Sequence, residues 1–113
     1  MSERVKLLEE TARIVRERGE SYGSPEAHFS RTAGAISAIF AHKLREPITA
    51  ADWSMFMVID KLAREQHVPK RDNAVDIAGY GACLGEIRVA ERGRELARWA
   101  RAEIERRKVD AKA

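Results

Sequence analysis

Apolar residues recur every three or four positions along most of the chain. Val5, Leu8, Ala12 and Val15, joined by Leu7, Thr11 and Ile14, share one broad face and predict a helix ending near Gly19. Gly19-Glu20-Ser21-Tyr22-Gly23-Ser24-Pro25 reads as a loop, with Ser24 suited to cap a second helix and Pro25 to open it. Phe29, Ala33, Ile36 and Phe40 carry that helix to about Lys43, and Pro47 ends whatever follows. Thr49, with Asp52 three residues later, caps a third helix running to about Gln66, with a predicted buried stripe of Trp53, Phe56, Met57, Ile59 and Leu62. Beyond Pro69, Arg71 or Asp72 opens a fourth, whose apolar surface holds Val75, Ile77, Ala78, Ala82, Leu84 and Ile87.

Gly79, Gly81 and Gly85 interrupt that last surface. A glycine inside a helix costs about 1 kcal/mol against alanine, so their repetition points to close approach of another backbone. The helical pattern runs on to about Lys108, roughly 55 Å from Asp72 at 1.5 Å per residue, against roughly 25 Å for the third helix. Either the chain bends near Gly93 and folds Leu96, Trp99, Ala100 and Ile104 onto its own core, or the helix continues and buries that stripe against another subunit. An exposed stripe of this kind is a solubility liability, so a homo-oligomer is expected, most simply a symmetric dimer with the fourth helix in the interface and the ligand cleft near it. Residues 108–113 are expected to fray. The expected fold is thus a single all-α domain over 1–113, with a core of about 4–105, built as a bundle of four to five helices with a long C-terminal one.

Composition supports this reading. Charged residues make up 35% and aromatics 6% of the chain, and alanine dominates the apolar set, which favours helices over sheets. No stretch approaches the roughly 18 apolar residues of a membrane span and the first residues hold no apolar signal core, so a cytoplasmic protein without a membrane partner is expected. Cys83 stands alone among small residues and reads as core filler. The net charge of +3 is unevenly placed, with −1 over residues 1–87 and +4 over 88–113. Glu91, Glu95, Glu103 and Glu105 alternate with the tail's arginines at helical spacing, which describes a solvated, ion-paired helix rather than a nucleic-acid-binding stripe.

The residues that change the picture are polar. Asp72 and Asp76 stand four apart on one helix face, with Tyr80 one turn further, and two carboxylates on adjacent turns are a common way to hold Mg2+. Capping for Asp72 and an ion pair for Asp76 are the plainer alternatives. On the third helix Lys61 and Arg64 present two cations at i and i+3, suited to phosphates or to the carboxylates opposite, while Asp60 can pair with Arg64 four residues on. Tyr22 and Gly23 lead into the positive end of the second helix, where Glu26 and His28 occupy the first turn. That arrangement suits a stacked base and a bound anion.

Arg18 to Phe29, Lys61-Leu62-Ala63-Arg64, and Asp72-Asn73-Ala74-Val75-Asp76-Ile77-Ala78-Gly79-Tyr80 together resemble a group of small phage and prophage helical proteins. The group runs from a family still called a domain of unknown function to phage dATP/dGTP diphosphohydrolases, and is distantly similar to MazG-like nucleotide pyrophosphohydrolases. The likeness covers about residues 10–88 and is most specific in its last block. It implies an oligomerising helical bundle, a nucleotide ligand and Mg2+. By position, Asp72 and Asp76 match the acidic pair, Lys61 and Arg64 the basic pair, and Tyr22 with Gly23 the loop motif. The expected reaction is hydrolysis of a (deoxy)nucleoside triphosphate to monophosphate and pyrophosphate. Asp72 and Asp76 are the catalytic pair, Asp60 and Glu26 further metal ligands, and Tyr22, Gly23, His28, Lys61, Arg64 and Tyr80 the nucleotide contacts. One departure bears on turnover: the MazG-like pattern has a Glu-Glu-x-x-Glu helix facing a Glu-x-x-Asp helix. Here the second helix has only Glu26 at its start, and Asn73 stands where the second motif has glutamate. Two other readings stay open: a non-catalytic protein that sequesters a nucleotide signal, cyclic ones included, in phage counter-defence, and a helical interaction module without a ligand.

Overall fold

The computed structural model describes residues 2–112; the side chain of Tyr22 and all of Ala113 lie outside the described residues. Four helices follow in order: α1 (Glu3–Tyr22), α2 (Pro25–Ile39), α3 (Ala50–His67) and α4 (Arg71–Lys112), with a 3-10 turn over Ala41–Lys43. Among the described residues no helix is long and apolar enough to cross a membrane.

Helix ends follow local chemistry. Ser2 caps α1, its hydroxyl accepting from the Val5 amide at 3.3 Å. The helix passes through Gly19 and stops three residues later than the sequence pattern predicts. Gly23 is the reason: at φ 79° it adopts a left-handed backbone that few other residues tolerate, and its amide donates to the Gly19 carbonyl at 3.0 Å. Ser24 then caps α2 by accepting from the Ala27 amide at 3.3 Å, and Pro25 supplies the first turn. That helix ends at Ile39 rather than Lys43, and the segment after it is tied back by Ser37, whose hydroxyl accepts the Ile48 amide at 2.8 Å. Thr49 and Asp52 form the full reciprocal capping box on α3, at 3.1 and 3.0 Å.

The core is small and lies where α2, α3 and α4 meet. Phe29, Ala50, Ala51 and Ile87 are buried, with Trp53, Tyr80, Cys83 and Leu84 packed around them. Helix α3 runs antiparallel to α4: Ser54, Lys61 and Glu65 meet Tyr80, Asp76 and Asn73 in descending order. The predicted stripe on α3 is corrected here. Its inward face is Ala50, Ala51 and the fully buried Ser54, whose hydroxyl donates to the Tyr80 carbonyl at 2.8 Å. Phe56, Ile59 and Leu62 are exposed instead, Ile59 by 60%. Small residues let the two backbones approach, and this rotates the larger ones outward.

Helix α4 does not bend at Gly93. Its 42 residues span about 63 Å at 1.5 Å per residue, close to the 67 Å long axis of the molecule. The helix is continuous to Lys112, and near its end Arg106 is paired with Glu103 and Asp110, and Lys108 with Glu105. Beyond about residue 95 the helix leaves the bundle, and Leu96 and Trp99 are 61% and 66% exposed.

Candidate functional site

A cleft of about 690 Å3 opens between α1, α2 and α4. One wall is the last turns of α1, with Thr11, Ile14, Val15, Arg16 and Arg18. The α1–α2 junction closes one end with Gly23, Ser24 and Pro25, so the cleft borders the positive end of the 15-residue α2. Phe29 and Tyr80 form an aromatic corner, their ring centroids 6.1 Å apart and tilted by 38°. His28 stands at the rim, its ring centroid 5.8 Å from that of Phe29. From α4 come Val75, Asp76, Gly79, Cys83 and Glu86.

Of the sequence-predicted contacts, Gly23, His28, Tyr80 and Asp76 therefore meet in one place. Tyr22 supplies backbone at the end of α1, and its side chain lies outside the described residues. Lys61 approaches from the other side of α4: its ammonium lies 3.0 Å from the Asp76 carboxylate, and both side chains are about four-fifths buried. Arg64 does not reach Asp76. It is exposed and held by Asp60, four residues back on the same helix, at 2.9 Å.

The expected metal set does not assemble within the chain. Asp60 is bound to Arg64, Glu26 to Arg94 and Asp76 to Lys61, so three of the four carboxylates already have a cation. Asp72 is exposed in the first turn of α4, where its charge favours the helix dipole, and it does not line the cleft. Among the described residues no three His, Cys, Asp or Glu side chains come close enough to hold a metal ion. The two cleft carboxylates, Asp76 and Glu86, are ten residues and about 15 Å apart along α4, too far to share one. Of the four expected ligands only Asp76 lines the cleft.

Sequence reasoning missed Arg16 and Arg18. Neither enters an ion pair among the described residues, whereas Lys6, Arg13, Arg71, Arg88 and Arg94 all do. The signal was available in their place on α1, at the edge of the face carrying Thr11, Ile14 and Val15, just before the capping loop. Cys83 was read as filler and does border the core, but it also lines the cleft. Burial pushes its thiol above the ordinary range, and the nearby Glu86 carboxylate adds to this, so the sulfur is a neutral, apolar part of the wall. In the first turn of α4, Asn73 is buried and donates to Glu65 at 3.0 Å, which together with the Lys70 amide holds that carboxyl below its ordinary range. Asn73 is thus a structural link between α3 and α4.

No curated protein and no solved structure matches the chain. A family described as a domain of unknown function, DUF6378, matches residues 6–88, which hold most of α1, all of α2 and α3, the cleft and the first 18 residues of α4. The chain belongs to the DUF6378 family.

Proposed function

We propose that the protein binds a nucleotide in the α1–α2–α4 cleft and holds it without metal-dependent hydrolysis. The observation that carries this reading is the pairing, in one cleft, of two uncommitted arginines beside a helix N-terminus with an aromatic and aliphatic corner. Phosphates suit the first part, through Arg16, Arg18 and the positive end of the α2 dipole. A base suits the second, against Phe29, Tyr80 and Val75. Lys61 neutralises Asp76, which leaves Glu86 as the one carboxylate facing the arginines. The cleft volume is in the range of small-ligand sites, about 300–1,000 Å3. Retention without turnover follows from the dispersed carboxylates, and it makes sequestration of a nucleotide the natural activity. The likeness to MazG-like enzymes is then one of scaffold and ligand class.

The test is a panel of mono-, di-, tri- and cyclic nucleotides, with and without Mg2+, read by thermal shift and by product release. At least one nucleotide is expected to raise Tm by several degrees without Mg2+ and without product, and Arg18→Gln is expected to remove the shift while leaving the unliganded Tm nearly unchanged. No shift from any nucleotide overturns the reading. Release of pyrophosphate in the presence of Mg2+ replaces it with pyrophosphohydrolysis.

A further inference from the structure

The face of α4 turned away from the core is largely exposed among the described residues. At 100° per residue, Ala74, Ala78, Gly81, Gly85, Val89, Arg92, Leu96 and Trp99 fall on one stripe, opposite the buried Ile87. The stripe is about 38 Å long. A Cβ built on Gly81 or Gly85 meets nothing within 4 Å, whereas one on Gly79 meets Thr11 at 3.9 Å. The fold of one chain thus gives a neighbour to Gly79 and none to the other two glycines.

The stripe is graded in size: alanine and glycine through residue 85, then valine, leucine and tryptophan. We infer that a second copy of the chain docks on it, with the two α4 helices antiparallel about a two-fold axis near Ile87, the small half of each receiving the large half of the other. Such an axis sets each residue against the one equally far beyond Ile87 on the other copy. Gly85 then meets the partner's Val89, and Ala78 meets the partner's Leu96. The partner's Trp99 falls at the level of Ala74 and Val75. Arg92 falls opposite Ala82, where its aliphatic stem can lie flat.

Three further observations select a second copy as the occupant. The Lys61–Asp76 and Glu65–Asn73 contacts set the register of α3 on α4 and place exposed Ile59 and Leu62 at the level of residues 75–79. The partner's Leu96 and Trp99 arrive at that level. The ends of the stripe bring no like charges together, since Arg71, paired with Glu10, comes level with the partner's Glu103, paired with Arg106 in its own chain. Finally, the segment from Leu96 to Lys112 projects about 25 Å beyond the bundle, and the two-fold lays it along the partner's α3–α4 layer. The α4 stripe alone, about 10 Å wide, covers on the order of 400 Å2 per copy. A stable interface needs about 800 Å2 per partner, so the apolar flank of Met55, Ile59 and Leu62 on α3 is part of it. The cleft residues Asp76, Tyr80 and Cys83 lie on the opposite side of α4, so the interface does not depend on the nucleotide reading.

The experiment is sedimentation equilibrium on the full chain and on Gly85→Leu. Wild type is expected at twice the chain mass of 12.7 kDa at tens of micromolar. Gly85→Leu has room for its side chain in the single chain and better helix propensity, so it is expected to keep or gain helicity and to become monomeric. Register is read by a short thiol cross-linker in a Cys83→Ser background: Ala78→Cys mixed with Leu96→Cys gives a cross-linked dimer, and neither variant alone does. A monomeric wild type, a dimeric Gly85→Leu, or Ala78→Cys linking to itself each overturns the inference.

Discussion

Asp76 has two neighbourhoods: it lines the cleft on one side and holds the Lys61 ammonium at 3.0 Å on the other. Because both side chains are largely out of water, removing one leaves the other charged and poorly solvated, which is costlier than the pair itself is stabilising. Asp76→Leu is therefore expected to lower stability by about 1–3 kcal/mol, and Lys61→Met placed in the same chain to recover most of it. Urea unfolding of the two single variants and the double variant checks this; equal losses from Asp76→Leu in both backgrounds would show that the ion pair contributes nothing. The pair itself was legible, since an acid on α4 and a base on α3 were expected to meet. What the sequence left open was which base: Arg64 has the longer reach, but Asp60 is one turn behind it on the same helix and holds it there. Local i,i+4 pairing outcompeted the tertiary partner because it requires no additional ordering of the chain.

Among the elements, helix starts were the most legible, because each depends on two or three adjacent residues. Ser24 before Pro25 and Thr49 three residues before Asp52 specify their caps whatever the tertiary context, and both are formed. Thr49→Ala removes an acceptor from the Asp52 amide and loosens the reciprocal bond, so it is expected to cost about 1 kcal/mol, seen as a lower urea midpoint with an unchanged slope; Thr49→Ser should retain most of that stability. Helix ends were less legible. Gly19 reads as a stop and Gly93 as a weak point at which the chain either bends or continues, and the helices run through both, because a helical glycine is a cost that neighbours such as Arg18, Arg92 and Arg94 can offset. Gly23 is different, since its positive φ actively turns the chain. The inward face of α3 was misread for a similar reason. Hydrophobic size pointed to Phe56, Ile59 and Leu62, whereas close helix packing selected Ala50, Ala51 and Ser54, and periodicity alone cannot distinguish a core face from a docking face.

At the scale of the molecule, the cleft was half legible. Its α2 end and Tyr80 follow from local motifs, while the α1 wall with Arg16 and Arg18 depends on how α1 crosses α4, which the Arg71–Glu10 pair and the Thr11–Gly79 contact fix and which no local pattern encodes. The extended α4 has a consequence for the stability of the chain. A helix of 17 residues projecting from a bundle has only its own i,i+3 and i,i+4 pairs, and such pairs add a few tenths of a kcal/mol each. An isolated helix of that length is marginal in water. If α4 is covered by a second copy, residues 96–112 gain tertiary cover only in the dimer, so their amide exchange must depend on protein concentration. The expected result is that exchange across 96–112 slows by at least tenfold between sub-micromolar and hundred-micromolar protein, while amides around the buried Ser54 and Ile87 change much less. Leu96→Ala combined with Trp99→Ala should abolish that dependence and leave the segment exchanging at the dilute rate throughout. Exchange over 96–112 that is slow and independent of concentration would mean that the projecting helix is stable by itself, and the apolar stripe would then require another explanation.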